Sequence, residues 1–300
     1  MATQTGSLQL APSRGALSYA ITAPSSPGGQ QPVVLLSSAL CAPLAVWDHV
    51  VPHLTGLGFR VLRYDAPGHG ASGVPADLAS TTFDAVARDV HALLAHLGIQ
   101  RLHAWVGVSF GAATAVVFAA RYPGVVERLV PCGTIACSPA HAGIPDAFGP
   151  RVAAARERGN LDTAVEETLE RWFGRPWLDA HVDEAGRVRR AMRTTSVDGF
   201  EACCAALRSP SFDLRPLAAT AGEGVDAALL LVGEKDGGLF TAMKELRTGI
   251  ETGLRAQGSE AKPAKGAGVD LKVVKNGGHL LFVDGFDSFM GLISEFLTRA

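Results

Sequence analysis

Residues 102–123 read LHAWVGVSFGAATAVVFAARYP, and the placement of every later feature depends on how this stretch folds. A short apolar run passes through Gly107-Val108-Ser109-Phe110-Gly111 into an alanine-rich run of helical length, the order of a strand, a sharp turn and a helix. A serine held on such a strained turn needs neighbours without side chains, because strand and helix backbones come close together there. Gly107 and Gly111 supply them, and the hydroxyl of Ser109 is expected to stand above the end of the strand. A GxSxG string also occurs in ordinary glycine-rich loops. Its position between a strand and a helix is what marks Ser109 as a nucleophile.

Working outward, the segments on either side repeat the same alternation. Residues 8–10 and 16–21 flank the turn signal Pro12-Ser13-Arg14-Gly15 and read as a first hairpin, and residues 24–32 form a Ser/Pro/Gly-rich connection. Residues 33–37 are a continuous apolar run, as expected of a strand buried on both faces. A helix is expected over 45–57, a strand over 59–64 and an amphipathic helix over 83–97. Beyond the serine, strands are expected over 128–132, 227–232 and 269–274, with helices over 241–254 and 286–297. Strand and helix in turn imply an α/β fold with a mostly parallel central sheet flanked by helices.

The alternation stops between residues 138 and 216, where helical patterns run over 150–158, 161–173, 180–195 and 197–207. This divides the chain into a core, 1–137 with 217–300, and a helical insertion, 138–216, placed where a lid over a site belongs. Trp172 and Trp177, in that insertion, are candidates for lining a substrate site, although aromatics at such spacing also pack a core. Residues 257–268, QGSEAKPAKGAG, read as a surface loop.

Composition narrows the function. The 300 residues are 47% hydrophobic and 19% charged, with a formal net charge of −2, which gives no electrostatic argument for nucleic acid or an anionic membrane. The longest apolar runs, 112–120 and 227–232, are far shorter than the roughly 20 residues a membrane span needs. No signal sequence is read at the N-terminus. Cys41, Cys132, Cys137, Cys203 and Cys204 are an odd number without CxxC or metal-type spacing, the pattern of reduced thiols in a cytoplasmic protein. The expectation is a soluble, cytoplasmic protein without metal or cofactor, a monomer or small homo-oligomer that acts on a small molecule.

The partners of Ser109 fall at the ends of later strands. Asp236 follows the strand at 227–232, and His279 follows Asn276-Gly277-Gly278 after the strand at 269–274. A serine hydroxyl is a poor nucleophile near neutral pH, so His279 is needed to take its proton and Asp236 to hold the imidazole and stabilise its charged form. Backbone amides of Leu40, directly after the strand at 33–37, and of Phe110 are the candidate oxyanion donors. His69, between Gly68 and Gly70, reads as a histidine that braces its own loop rather than as the base.

The chain resembles the α/β-hydrolase superfamily over nearly its whole length, and the 3-oxoadipate enol-lactonases in particular. The similar segments are LSSALCAPLAVWDHVVPHL, FRVLRYDAPGHGAS, GVSFGAA, the insertion pieces ERWF and GFEACCAALR, and GEKD. The resemblance implies a Ser-His-Asp triad at Ser109, His279 and Asp236 and a substrate that is an enol lactone bearing a carboxylate. It makes Arg208, which ends GFEACCAALR, a candidate partner for that carboxylate, although a cation at a helix C-terminus also has an ordinary structural use. Departures are visible too. Phe110 follows the serine where methionine and glycine are usual and is expected to narrow the site, and the Thr-Pro-Pro stretch after the acid is missing. Serine at the turn argues against epoxide hydrolases and dehalogenases, which carry aspartate there. Another esterase, lactonase or carbon–carbon hydrolase, or a ligand receptor that hydrolyses slowly, remains open.

Overall fold

The computed structural model describes residues 1–11, 13–25, 31–257 and 269–299. Pro12 of the first turn, most of the connection at 24–32 and nearly all of the segment at 257–268 lie outside the described residues. Eight strands form one sheet: β1 (Ala2–Gln9), β2 (Ala16–Ala23), β3 (Val33–Ser37), β4 (Arg60–Tyr64), β5 (Leu102–Val108), β6 (Val126–Cys132), β7 (Ala227–Gly233) and β8 (Asp270–Val274). Their order is β1-β2-β4-β3-β5-β6-β7-β8. The pairs β1–β2 and β2–β4 are antiparallel, and all the others are parallel. A mostly parallel sheet flanked by helices is thus what the alternation in the sequence implied.

The middle strands of the sheet are buried on both faces. β3 is buried at all five positions, as the apolar run at 33–37 implied, and its neighbour β5 at six of seven. One core forms around Leu35, Trp105 and Phe118, and the other around Val34, Val106 and Trp47. Polar atoms taken into these cores keep partners: Trp105 Nε1 donates to Ser37 Oγ at 2.7 Å and Trp47 Nε1 to Ser38 Oγ at 3.0 Å. The end of β3 is thereby pinned where the site begins.

Element boundaries depart from expectation where proline or polarity intervenes. The helix expected over 45–57 is split into a 3₁₀ turn, Leu44–Trp47, and a helix, Val50–Gly56. Pro52 has no amide hydrogen to continue an earlier helix, and it sits within the first turn of a new one instead. The helix expected over 180–195 runs over Val182–Met192, and a short helix, Arg175–Ala180, precedes it. β1 begins at Ala2 rather than Leu8; its first residues are polar or small and mostly exposed, which leaves no hydrophobic alternation to read. The helices Pro139–Ala142 and Leu217–Glu223 had no counterpart in the reading of the sequence.

Between β6 and β7 the described chain is helical, from Pro139 through Arg208 to Glu223. Cys137 and Asp213 pair in an isolated antiparallel bridge that closes the base of this segment. The segment is held to the sheet loops by a close backbone contact. A Cβ on Gly199 would lie 2.5 Å from Gly68 Cα, so both residues must be glycine for the loop after β4 and the helix Val197–Arg208 to meet. Ser196 fixes the junction, its amide donating to Gly68 O at 2.9 Å while its hydroxyl caps the helix through the amide of Gly199, also at 2.9 Å.

Candidate active site

Ser109 sits between β5 and the helix Phe110–Arg121 at φ 54°, ψ −112°, a backbone conformation that costs energy for any residue but glycine. Two close approaches hold it there. A Cβ on Gly107 would lie 2.6 Å from Gly111 O, and one on Gly111 would lie 2.6 Å from the backbone of Ser37. The Ser109 amide donates to Cys132 O at 2.8 Å and that of Gly111 to Ser38 O at 2.9 Å, so the turn is tied to both neighbouring strands.

Asp236 and His279 arrive from the loops after β7 and β8. His279 Nδ1 lies 2.7 Å from Asp236 Oδ2, with the side chains 13% and 21% exposed. Since a carboxylate can only accept, Nδ1 carries the hydrogen, and the neutral ring leaves Nε2 as its acceptor nitrogen. Trp172 stacks on the His279 ring with centroids 5.2 Å apart. Ser109, Asp236, His279 and Trp172 line one cavity of about 530 Å³, whose wall also includes Leu40, Cys41, Arg151, Thr168, Arg171 and Phe200.

The loop after β3 brings Leu40 to this cavity. Among the described residues the backbone amides of Leu40 and Phe110 donate to no partner. Cys41 follows at φ 66°, and its amide donates to His69 Nε2 at 2.9 Å. His69 Nδ1 faces Pro67 O at 2.9 Å, which fixes the neutral tautomer with the hydrogen on Nδ1. Asp65 adds a second link, accepting from the amides of Leu44 at 2.6 Å and Ala71 at 3.2 Å. Fully buried, His69 is pushed by desolvation from 6.5 down to about 4, so it braces the loop as a neutral ring. Burial also pushes the Cys41 thiol up to about 12, so it is a neutral part of the wall rather than a nucleophile.

Three side chains lie elsewhere than the sequence led us to expect. Phe110 is 1% exposed and packs on Phe83, with centroids 4.8 Å apart, so its ring belongs to the core below the turn and does not narrow the cavity. Trp177 stacks between Phe173 and His181, at 4.6 Å from each, away from the cavity wall. Arg208 is paired through Nε with Asp146 Oδ2 at 2.5 Å and lines a separate surface depression. Its position at a helix end made it visible in the sequence, but Asp146 takes its charge. Conversely, Arg151, Thr168, Arg171 and Phe200 line the cavity and had not been singled out. Arg171 lies within the ERWF string, the one signal that could have found it.

Comparison with known proteins agrees with this architecture. Residues 32–177 match the family model described as alpha/beta hydrolase fold. The crystal structure of the enol-lactonase from Burkholderia xenovorans LB400 superposes with a TM-score of 0.77 at 27% identity, covering 95% of this chain and 97% of that one. The chain has the α/β-hydrolase fold. It also resembles two proteins of Acinetobacter baylyi, 3-oxoadipate enol-lactonase 2, 27% identical over 62% of this chain, and 3-oxoadipate enol-lactonase 1, 28% identical over 59%. It spans 66% and 62% of the length of these two curated relatives. No helix among the described residues is long and apolar enough to cross a membrane.

Proposed function

We propose that the protein is a serine-dependent hydrolase of carboxylic esters that opens a small lactone, with 3-oxoadipate enol-lactone as its substrate. The observation that carries this reading is the convergence on one cavity of Ser109, held at positive φ, and the hydrogen-bonded pair His279–Asp236. Ser109 Oγ attacks the lactone carbonyl and passes its proton to His279 Nε2, while Asp236 steadies the imidazolium. The amides of Leu40 and Phe110 take the developing oxyanion, a contribution of roughly 3 kcal/mol per donor. Collapse expels the enolate, which is protonated and tautomerises to a ketone. Water, deprotonated by His279, then attacks the acyl-enzyme and releases a free acid and Ser109. The helices over 138–216 serve as the lid, with Trp172 contacting both substrate and His279. Five unpaired cysteines support a reducing, cytoplasmic setting.

The similarity to the enol-lactonases supports the choice of substrate. Replacing Ser109 by Ala is expected to lower turnover at least about a thousandfold with circular dichroism and melting unchanged. An Ala variant that keeps near wild-type lactone hydrolysis would falsify the assignment. A panel of enol lactones, simple lactones and short aryl esters tests the substrate. Failure on enol lactones with rapid turnover of aryl esters would keep the chemistry and remove the lactone.

A further inference from the structure

The proposed chemistry leaves two guanidinium groups of the cavity unused. Arg151, in the first turn of the helix Gly149–Arg158, and Arg171, in the last turn of the helix Asp162–Phe173, line the same cavity as Ser109. Other arginines of the helical segment hold carboxylates: Arg156 pairs with Asp198 and Glu201, Arg189 with Glu166, and Arg208 with Asp146. Arg151 and Arg171 make neither an ion pair nor a hydrogen bond among the described residues. The one carboxylate in the cavity wall, Asp236, is engaged by His279 at 2.7 Å.

The wall therefore carries two cations and a single anion that is already committed. Bringing like charges together beside apolar surface is unfavourable unless something neutralises them. Arg171 registers this: desolvation, followed by the charge of Arg151, pulls it down to about 10. Arg171 is nevertheless exposed at the surface, where water weakens this effect, so it remains charged at neutral pH and lies within reach of an incoming anion. The neighbouring Cys41 is a neutral thiol and offers no countercharge. A guanidinium matches a carboxylate with two parallel hydrogen bonds, so two in one cavity form a ready receptor for that group.

We propose that Arg151 and Arg171 form a carboxylate-binding subsite beside Ser109, selecting ester or lactone substrates that carry a free carboxylate. The subsite rests on the ester-hydrolase reading only for what is cleaved, not for what is bound. Two substrates that differ in charge alone test it: mono-p-nitrophenyl adipate and its methyl ester, compared by the ratio of their kcat/KM values. The wild type is expected to favour the acid by about tenfold or more, and Arg171→Gln and Arg151→Gln are each expected to cut that ratio by about tenfold, chiefly through KM. A ratio within twofold of wild type in both variants, or a wild type that favours the methyl ester, overturns the proposal. Calorimetric titration of adipate into the Ser109→Ala protein separates binding from catalysis. A dissociation constant weakened about tenfold by either arginine change supports the subsite even if no ester is cleaved, in which case only the hydrolase reading fails. Adipate that does not bind, or binds equally well without the arginines, overturns the subsite even if esters are cleaved.

Discussion

Ser109 reaches the cavity from a residue at φ 54° that the sheet forces into place, whereas Arg171, Trp172 and Phe200 reach it from ordinary helical backbone. The loops after β3 and β5 are fixed by main-chain contacts of Gly107 with Gly111 and of Gly111 with Ser37, and by the Cys41 amide on the His69 ring. The helices between β6 and β7 contribute side chains whose direction depends on how whole helices dock. Under the proposed function, one side would set where a carbonyl is attacked and the other which molecule is admitted. The first can stay constant while the second changes, which is how one fold comes to serve many substrates.

The two regions meet at Gly68 and Gly199, and the largest effect is expected where that junction is broken. Alanine at 199 would improve helix propensity by about 1 kcal/mol, yet its Cβ would lie 2.5 Å from Gly68 Cα and 2.6 Å from Gly68 O. No flexible side chain can yield there, because the obstacle is backbone. Gly199→Ala is expected to cost about 3 kcal/mol or more and to lower the melting temperature by several degrees. Phe200, next in the helix, lines the cavity, so ester hydrolysis should fall as well. An alanine variant that melts with the wild type would show that the helices dock independently of the loop after β4.

A smaller effect, confined to acid, isolates the brace on the sheet side. His69 takes up a proton in the folded chain only near pH 4, whereas in the unfolded chain it does so near 6.5. Between those values the unfolded state binds more protons, so stability is lost as pH falls from 6.5 toward 4 and levels off below. The contribution is on the order of 3 kcal/mol at most. Asp65 beside it acts in the opposite sense, because burial raises its carboxyl and its protonated form is the one the fold tolerates better. His69→Gln keeps a carbonyl for the Cys41 amide and an amide for Pro67 O but does not titrate. Melting curves from pH 7.5 to 4.5 should therefore decline less steeply in the variant than in the wild type. Parallel curves would assign the acid sensitivity to other groups.

The same contrast explains what could be read from the sequence. Glycines around Ser109, the Gly-Gly before His279 and the apolar runs of β3 and β5 are local signals, each stating a backbone requirement that does not depend on distant contacts. Helical periodicity states only which face is covered, not by what. Trp177 was therefore a reasonable candidate for the cavity and instead stacks on Phe173 and His181. Phe110 lies on the core side of its helix, a direction that the bare string VSF does not encode. Only the ERWF string marks Arg171 in the sequence and nothing marks Arg151, because what sets them apart from Arg156, Arg189 and Arg208 is that after folding they stand in the cavity wall without an ion pair among the described residues.

Arg208 gives the smallest expected effect and the sharpest contrast with Arg171. Both lie in the last turn of a helix between β6 and β7, both are arginines, and the resemblance to enol-lactonases had pointed to Arg208. Arg208, however, is 48% exposed in its side chain, is paired with Asp146 and stands outside the cavity. An ion pair this exposed is worth about 0.2–1 kcal/mol, since water screens it and two long side chains lose freedom to form it. Arg208→Ala should accordingly shift melting by no more than a few degrees and change the preference for the acid over its methyl ester by less than about twofold. Arg171→Gln, tested on the same two esters, should do the reverse, lowering the preference while barely moving the melt. If the outcomes were exchanged, the helix Val197–Arg208 would have to turn its end toward the cavity in solution, and the recognition surface would lie one helix further along the chain.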